Sequence, residues 1–484
     1  MEAELVSRLS SDLVWIRPEL LLAGFALSAT LVGAWLGNRV TGLLSGLCAL
    51  ALVVAAFFAW QMRPAEPHLV FNGTLSIDGF SAYAKTVIAL AAAATLLLGT
   101  DHFARRNEQR FEFPILIALS AVGMFVMVSA NDLITLYVGL ELQSLAAYVL
   151  AAFRRDDARS SEAGLKYFVL GALASGLLLY GSSLIYGFTG SVSFDIIAAS
   201  ASEGGLGVIF GLVFLICGLA FKMSAAPFHM WTPDVYEGAP TPITAFFAAA
   251  PKLAAVALLA RVLYGPFAGL EDQWRQVIMA LAGLSLLIGA FIALAQTNIK
   301  RLMAYSSIHN MGFALMALAA GTEKGASAAL IYMTIYLPTT IGAFAGILAM
   351  RRDGKDVETI EDLSGLASRK PWLAMLLTVI FFSVAGIPPL AGFFGKLVTF
   401  QAALDAGLWP LAVIAALATV ISAAYYLNII KVMWVNPPAP AFQSSGPTIA
   451  MTAGFATLLI FPVLVVGFGW VEQAAMLAAS SSFP

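Results

Sequence analysis

Four ionisable side chains stand in the middle of long apolar segments of this chain. They are Glu141 in LYVGLELQSLAAYVL, Lys222 in GLAFKMSAAPFH, Lys252 in AAAPKLAAVALLARV and Lys396 in AGIPPLAGFFGKLVTF. A charge at bilayer depth is costly unless it faces a polar interior and has a partner, so such residues are functional candidates by default. Amines and carboxylates exchange protons, and we interpret these four as a buried line of titratable groups, with Glu141 as the only acid at that depth.

The composition is that of an integral membrane protein. Of 484 residues, 60% are hydrophobic and 11% are charged, and the mean hydropathy is +0.88, whereas a soluble domain carries about a quarter charged residues. A crossing needs about 20 apolar residues, and lipid cannot satisfy the backbone of an open sheet. The sequence therefore predicts an all-α polytopic bundle of about fourteen helices. Numbered in order, these predicted helices cover residues 14–36, 42–61, 79–99, 114–130, 132–153, 163–187, 206–231, 242–264, 276–296, 301–320, 326–350, 372–404, 408–434 and 448–471.

The distribution of basic residues predicts an orientation. Loops joining an odd-numbered helix to the next even one hold sixteen of the 26 lysines and arginines, and the opposite loops hold six, Arg261 among them. The positive-inside rule then places the basic loops in the cytoplasm and both termini on the periplasmic side of a bacterial inner membrane. Glu2 and Glu4 stand where a signal peptide would be basic, so no cleavable signal is expected. Lys85, near an outer helix end, is expected to snorkel to the interface.

Three of the deep charges are predicted to meet in one plane. Glu141 follows the start of helix five, at Asp132, by nine residues, or about 14 Å along the axis. Lys222 and Lys252 lie ten residues from their helix ends, about 15 Å, close to the middle of a core about 30 Å thick. A structural salt bridge between Glu141 and one lysine is the alternative interpretation. The additional lysines favour a functional one, because architecture needs no surplus buried charge.

Two helices are predicted to be discontinuous. Pro227 has no N–H, so it leaves the Met223 carbonyl of helix seven without its helical partner. In helix twelve, the turn loosened in the same way contains Val384, Ala385, Gly386, Pro388, Pro389 and Gly392. Broken helices at corresponding places in two halves indicate a transport site built on inverted repeats.

The helix breaks suggest a division of the chain. We interpret residues 1–484 as a single membrane domain that begins with helices one to three, 1–110. Helices four to eight, 111–265, form the first inverted repeat, and helices nine to thirteen, 270–435, form the second. Helix fourteen and the C-terminus follow in 436–484.

Several further polar residues could extend a proton path. His309 in helix ten is either a packing residue or a relay between two of the lysines, since neutral imidazole can pass a proton. His229, at the end of helix seven, is an entry group or an interfacial residue. Glu162 and Lys166, at positions i and i+4, either form a helix-start pair or gate proton entry from the cytoplasm. Helix eleven also carries polar residues that could line a wetted path, namely Tyr332, Thr334, Tyr336, Thr339 and Thr340.

The sequence gives no sign of a bound cofactor or metal. Cys48 and Cys217 both fall within predicted helices and form no CxxC pair, which argues against an iron–sulfur or haem-attachment site. No GxGxxG motif follows a strand, so no nucleotide site is expected. Neither a metal-ligand set nor a nucleophile–base cluster appears, and nothing indicates nucleic-acid binding.

Several long motifs, in order, resemble the antiporter-like membrane subunits of respiratory complex I, NADH-quinone oxidoreductase, and among them subunit N. The motifs are LYVGLELQSLAAYVL, GLAFKMSAAPFH with the nearby WTPDVYEGAPTP, TNIKRLMAYSSIHNMGF and AGIPPLAGFFGKL. The similarity extends from about residue 70 to 435. It implies a proton-translocating module of a redox-driven pump, in a subunit that lacks the redox centre itself.

The resemblance also implies roles for individual residues. In that family the glutamate of helix five, here Glu141, pairs with the lysine of helix seven, here Lys222. The lysine of helix eight, here Lys252, forms the central connection, and that of helix twelve, here Lys396, is the exit-side group. The family's polar residue of helix ten falls on Asn310, one place after His309.

The resemblance further implies the partners and cofactors. The expected partners are the sister antiporter-like subunits and the small membrane subunits, within a lipid bilayer. NADH, FMN, iron–sulfur clusters and quinone are expected in partner subunits and none in this chain. Two other function classes stay open: a free-standing cation/proton antiporter, which would need several acidic or carbonyl oxygens at a cation site, and a purely structural membrane scaffold.

Overall fold

The computed structural model of the chain describes residues 2–64, 66–352, 354–443 and 446–483. Its helices are α1 (Glu2–Trp15), α2 (Arg17–Leu36), α3 (Thr41–Gln61), α4 (Gly79–Arg105), α5 (Glu112–Ser129), α6 (Leu133–Ala151), α7 (Ala158–Thr189), α8 (Phe194–Ser200), α9 (Gly205–Met223), α10 (Trp231–Gly238), α11 (Thr241–Ala248), α12 (Ala250–Tyr264), α13 (Glu271–Ala293), α14 (Ile299–Leu318), α15 (Glu323–Leu348), α16 (Leu366–Arg369), α17 (Pro371–Ala385), α18 (Ala391–Asp405), α19 (Trp409–Val435), α20 (Pro447–Leu458), α21 (Leu464–Val466) and α22 (Phe468–Ser480). A π-helical turn, Leu459–Val463, joins α20 to α21.

Strands are few in the described part of the chain. One antiparallel hairpin pairs β1 (His68–Val70) with β2 (Leu75–Ile77), and a second pairs β3 (Arg351–Arg352) with β4 (Lys355–Asp356). The predicted all-α membrane fold is therefore confirmed.

The structure also bears on the number of membrane crossings. Within the described residues, eleven helical stretches are long and apolar enough to cross a membrane. One of them, Arg17–Gln61, contains both α2 and α3, whereas α14 and the two halves of predicted helix twelve are not among the eleven. The count of fourteen stays a prediction.

Both discontinuous helices are present and end in the same way. Predicted helix seven ends at Met223, where Ser224 adopts φ +64°, and predicted helix twelve ends at Ala385, where Gly386 adopts φ +86°. In each case the N–H two residues past the helix donates to the carbonyl five residues back, from Ala225 to Ala220 at 2.9 Å and from Ile387 to Phe382 at 3.0 Å. This is the Schellman closure of a helix C-terminus.

One predicted helix end is wrong, and one interruption was not predicted. Predicted helix seven, 206–231, stops at Met223 because the left-handed Ser224 cannot continue a helix. Predicted helix eight, 242–264, is interrupted at Ala249 between α11 and α12. Pro251 was the signal for this interruption, since it cannot donate to the Phe247 carbonyl.

The second helix of each half begins with the same kind of side-chain cap. Asp132 caps α6 by accepting the N–H groups of Ile134 and Thr135, and Asn298 caps α14 by accepting those of Lys300 and Arg301. Each cap forms an isolated β-bridge to the segment after the following long helix, Asp132 with Ser193 and Asn298 with Thr359. The two helix series, which are α5 to α12 and α13 to α19, thus repeat one local design, as inverted repeats require. The exact boundaries of the repeats stay an interpretation.

The centre of the bundle is helix eight. The most apolar window of the Thr241–Tyr264 stretch, which holds α11 and α12, is fully buried, and that of α15 is 89% buried. The corresponding windows of Arg17–Gln61 and of α19 are only 39% and 33% buried. The interior is therefore built by helix eight and α15, while α2, α3 and α19 lie at the periphery, where lipid or another subunit would cover them.

Two charged residues have different surroundings from those predicted. Lys85 does not snorkel to the surface: its Nζ lies 2.5 Å from Glu19 on α2, and both side chains are buried. Arg261 is not a loop charge, because it is buried within α12, where it contacts Asp78 at 2.8 Å and donates to the Val128 carbonyl. The predictions were wrong because each partner acid lies far away in the sequence. Glu19 and Asp78 are thus buried acids at the starts of α2 and α4, whereas Glu141, in the middle of α6, is only partly buried.

We predict that Arg261→Met destabilises the protein by about 3–5 kcal/mol, because it leaves the Asp78 carboxylate buried without its counter-charge. Thermal unfolding of the purified chain in detergent measures the effect. Asp78→Asn keeps an oxygen for the α4 cap and should restore part of the loss in the double variant. Lys324→Met, at an exposed ion pair with Asp405, should change stability by about 1 kcal/mol or less. Equal stability of the Arg261 and Lys324 variants would contradict the prediction.

Candidate functional site

Lys222 is held by hydroxyl groups of α6. It lies in the last turn of α9, is buried, and its Nζ donates to Ser144 Oγ at 2.6 Å and to Tyr148 OH at 3.1 Å. Glu141, Ser144 and Tyr148 share one face of α6, because they follow each other at three and four residues. The lysine is therefore anchored on the stripe that also carries the glutamate.

Glu141 and Lys222 lie on this common stripe without touching. No ion pair within 4.0 Å joins them, and Glu141 Oε1 is buried without a hydrogen-bond partner. Ser144, one turn from Glu141, occupies the place at Lys222 that the carboxylate would take in a direct pair. The direct pairing implied by the resemblance is thus absent in this conformation. The helix face still brings both groups to one region.

Lys252 binds the break in helix seven. Its Nζ donates to the Met223 carbonyl at 3.1 Å and to Ser224 Oγ at 2.9 Å. The Met223 carbonyl is the one that Pro227 was predicted to free, so a buried lysine now satisfies an acceptor that the helix cannot. Met223 directly follows Lys222 in the chain. The break is therefore next to both lysines, because Lys222 is the residue before it and Lys252 binds its carbonyl.

Lys396 binds the second break in the corresponding manner. Its Nζ donates to the Ala385 carbonyl at 3.1 Å and lies 4.9 Å from the centre of the Phe313 ring. Ala385 precedes the left-handed Gly386 just as Met223 precedes Ser224. Each broken helix thus presents one free carbonyl to one buried lysine.

A small cavity of about 20 Å³ adjoins Lys396. Its lining includes Asn310, Tyr332, Tyr336, Thr339, Ser383 and Lys396. A cavity of this size can hold about one water molecule when polar groups surround it. Three of the five predicted polar residues of helix eleven, Tyr332, Tyr336 and Thr339, therefore line a cavity beside an ionisable group.

The two candidate polar residues of predicted helix ten, which is α14, have different neighbours. Asn310 lines the Lys396 cavity, and its Oδ1 accepts a hydrogen bond from Tyr332 OH at 2.7 Å. His309 lies next to it but turns towards α13, with Nδ1 3.0 Å from the Leu286 carbonyl. A carbonyl can only accept, so Nδ1 carries the proton, and Nε2 is left buried without a partner.

Glu162 and Lys166 belong to a larger charged cluster at the N-terminus of α7. Lys166 Nζ contacts Glu162 at 2.8 Å and Asp234 at 2.7 Å, and Arg301 joins Asp234 at 2.8 Å and Glu237 at 2.9 Å. These side chains line an open cavity of about 260 Å³. Partial burial acts to raise the pKa of Asp234, but its hydrogen bonds to Lys166 and Arg301 outweigh burial and lower that pKa overall.

Sequence reasoning missed three members of this cluster. Asp234 and Glu237 are three residues apart in α10, and Arg301 opens α14. Their charges looked like ordinary loop residues, although acids at this spacing share one helix face. Only the packing of α10 against α14 shows that they meet.

Aromatic side chains connect the cluster region with Lys222. Tyr167, next to Lys166, stacks on Trp231 with ring centres 4.3 Å apart, and its ring lies 4.8 Å from that of Tyr148. Tyr148 is one of the two acceptors of Lys222. His229 lies just before Trp231, partly buried, with an Nδ1 that has no partner. The structure thus brings Lys166 and His229 to the same end of the protein.

No metal site is apparent in the part of the chain that the structure describes. No group of three or more His, Cys, Asp or Glu side chains there is arranged to hold a metal ion. Cys48 is buried and Cys217 is partly buried, and both are free thiols.

Comparison with known proteins identifies the family. Residues 130–422, which include all four deep charges, match the family described as NADH:quinone oxidoreductase/Mrp antiporter, transmembrane. The NADH-quinone oxidoreductase subunit N of Methylobacterium nodulans is 52% identical over 467 residues, or 96% of each chain. This chain belongs to the subunit N family.

Two further similarities extend the family assignment. The subunit N of Beijerinckia indica subsp. indica is 53% identical over 470 residues, 96% of this chain and 98% of that one. A chain of respiratory complex I from Thermus thermophilus superposes with a TM-score of 0.82 at 35% identity, covering 96% of this chain and 99% of that one. The resemblance predicted from the motifs is confirmed, and the chain has the fold of the subunit N family throughout.

We predict that Gly392→Ala disrupts the second break. A Cβ at this position would collide with the Ser383 backbone carbonyl, which is not free to rotate away. Overpacking of this kind costs about 1–3 kcal/mol, measurable as a lower unfolding temperature in detergent. Gly176→Ala is the matched control, because a Cβ there meets nothing within 4 Å and alanine favours a helix by up to about 1 kcal/mol. Indistinguishable unfolding temperatures would show that the break tolerates a side chain.

Proposed function

We propose that this chain is a proton-translocating, antiporter-like membrane subunit of NADH-quinone oxidoreductase. Redox chemistry in partner subunits drives it, and Glu141, Lys222, Lys252 and Lys396 form its buried relay. The observation that carries the proposal is the contrast between two kinds of buried cation. Lys85 and Arg261 each have a carboxylate partner within 3 Å. Among the described residues, the three relay lysines have none within 4.0 Å and bind only neutral oxygens.

This contrast separates a relay from a scaffold. An unpaired buried charge costs several kcal/mol, so a residue with a structural role is expected to be paired. A lysine on neutral acceptors can lose its proton without leaving a carboxylate unpaired. The amine and ammonium forms are therefore closer in energy than they would be in a salt bridge. Such groups are suited to binding and releasing protons during turnover.

The relay proceeds from Lys222 to Lys252 and then to Lys396. A nearby carboxylate stabilises a protonated amine, whereas burial opposes it. When Glu141 approaches or is ionised, Lys222 holds a proton, and when Glu141 withdraws or is neutralised, Lys222 releases one towards Lys252. Coulomb interactions reach far in a low dielectric, so each transfer changes the proton affinity of the next group. Lys396 delivers the proton to the exit side.

The secondary residues act at the entrance of this path. Glu162 and Lys166 receive protons from the basic face through the open charged cavity, and His229 lies near the same entrance. His309 stands beside the Lys396 region, but its Nδ1 is held by the Leu286 carbonyl and its ring packs against Phe313, which supports the packing role of the two roles predicted for it. Pro227, Pro388 and Pro389 keep the two carbonyl-presenting breaks open.

The membrane setting follows from the family. The chain lies in the bacterial inner membrane, with its basic loops in the cytoplasm and both termini on the periplasmic side. Sister antiporter-like subunits and small membrane subunits surround it, and NADH, FMN, iron–sulfur clusters and quinone are bound by partner subunits. The likeness to a chain of Thermus thermophilus complex I supports this assembly.

A free-standing cation/proton antiporter is the second candidate, because the matched family description also names the Mrp antiporter. A cation site needs several oxygen ligands. Among the described residues, the hydrogen-bond partners of Lys222, Lys252 and Lys396 are hydroxyl and carbonyl oxygens, and no carboxylate lies within 4.0 Å of these three amines. Sodium-dependent transport by the purified chain in liposomes would favour this alternative.

We predict that Lys222→Ala, Lys252→Ala and Lys396→Met each lower NADH-driven proton pumping of the assembled complex by roughly tenfold or more, since each removes a proton-transferring group. Pumping is measured in inverted membrane vesicles, alongside the amount of assembled complex. Lys85→Met should instead reduce assembly, because it leaves Glu19 buried and unpaired. Normal pumping by fully assembled Lys222→Ala complex would reject the relay. Loss of assembly without loss of pumping per complex in all three variants would favour a scaffold.

We predict that Lys166→Met lowers pumping severalfold while changing stability by about 1 kcal/mol or less, because its ion pairs are largely exposed. Arg155→Met, at a more exposed and longer ion pair with Glu112, is the control and should affect neither property. Unchanged pumping in Lys166→Met would assign Glu162 and Lys166 to a helix-start pair alone.

A further inference from the structure

The step from Lys252 to Lys396 crosses from one repeat to the other, and polar side chains from three helices occupy this space. Tyr236 of α10 lies beside Lys252, whose Nζ is 5.8 Å from the centre of its ring. Tyr336 of α15 donates to Ser307 Oγ of α14 at 2.7 Å. α10 packs against α14, and this packing places Ser307 near the Tyr236 hydroxyl. We call Tyr236, Ser307 and Tyr336 the hydroxyl chain.

The far end of the hydroxyl chain reaches Lys396. Tyr336 and Lys396 line the same cavity of about 20 Å³, which has room for about one water molecule. Asn310 and Tyr332 line that cavity as well, so such a water would have several polar partners. The hydroxyl chain therefore begins next to one lysine and ends at a polar cavity against the next.

One hydroxyl of the chain is conspicuously unsatisfied. The Tyr236 hydroxyl is buried and makes no hydrogen bond, although Ser307 is near. A buried hydroxyl without a partner is costly, and a packing role alone would favour phenylalanine at this position. A hydroxyl that must accept a proton from one side and donate to the other has a reason to be there.

The imidazole of His309 is less well placed for this step. Its Nδ1 is engaged with the Leu286 carbonyl, and its ring packs against Phe313. The same Phe313 ring faces Lys396 Nζ at 4.9 Å, so Phe313 contacts both groups. An aromatic ring has no exchangeable proton and cannot conduct one between them.

We propose that the proton passes from Lys252 to Lys396 along the hydroxyl groups of Tyr236, Ser307 and Tyr336 and not through His309. This inference rests on the proposed function. The Ser307–Tyr336 hydrogen bond first reverses so that Ser307 donates to Tyr336. The Lys252 ammonium then gives one proton to the Tyr236 oxygen, and each hydroxyl releases its own proton to the next oxygen as it accepts one. Tyr336 passes a proton through the cavity water to the Lys396 amine. The net change is the loss of one proton by Lys252 and its gain by Lys396, with the three hydroxyls reoriented.

The test compares single variants in inverted vesicles containing the whole complex. Tyr336→Phe and Tyr236→Phe each remove one oxygen at nearly unchanged volume and should lower NADH-driven proton pumping roughly tenfold. Tyr83→Phe is the matched control. It removes another buried tyrosine hydroxyl that bonds to α15, at Thr334 and 2.8 Å, and should pump normally. His309→Asn retains a donor for the Leu286 carbonyl but lacks Nε2, and should pump within about twofold of the unaltered complex.

Each outcome decides between distinct conclusions. Normal pumping by Tyr336→Phe and Tyr236→Phe, or a tenfold loss in His309→Asn, would overturn the hydroxyl chain. If Tyr336→Phe fails to assemble, Ser307→Ala decides instead, since it removes the central oxygen and leaves both tyrosines. Lys396→Met in the same experiment separates the two proposals. If it abolishes pumping while the tyrosine variants pump normally, the relay stands and only this route fails.

Discussion

The structure depends on how the positive charges of its buried lysines are stabilised away from water. Lys252 and Lys396 each bind a carbonyl that a broken helix has left free, at Met223 and at Ala385. The interaction satisfies two needs at once, because the carbonyl lacks a helical N–H and the ammonium lacks water. It supplies no full counter-charge, however, which is the reason we propose that these lysines exchange protons. Lys85, held against Glu19, shows how the same protein fixes a cation in place.

The two breaks share one local sequence pattern. In each half, a left-handed residue closes the helix, and the N–H two residues past the helix end donates to the carbonyl five residues back. A proline follows three residues after the left-handed position, Pro227 in one half and Pro389 in the other. A local sequence of this kind produces one carbonyl-presenting break wherever it occurs. Two copies of this sequence give two such breaks within one bundle, and Lys252 of the fully buried helix eight binds the first of them.

The fold places the charges at different distances from solvent. The Lys166 and Asp234 cluster faces an open cavity, whereas Lys396 meets only a void for a single water. Between them, aromatic rings and hydroxyl groups fill the interior, as with Tyr148 at Lys222. The side chains of Lys222, Lys252 and Lys396 are accordingly all buried. A path through such an interior must use side chains and individual water molecules.

The sequence by itself determined which residues are chemically unusual and where the helices must break. Apolar runs interrupted by single charges identify Glu141, Lys222, Lys252 and Lys396, and the missing N–H of Pro227 identifies the Met223 carbonyl, because these are local properties of the chain. Only the tertiary structure decided what each charge touches. It placed Glu19 against Lys85, Asp78 against Arg261 and Ser144, not Glu141, against Lys222. These partners are 66, 183 and 78 residues apart in the sequence, and their contacts depend on how whole helices pack. No local pattern encodes that packing.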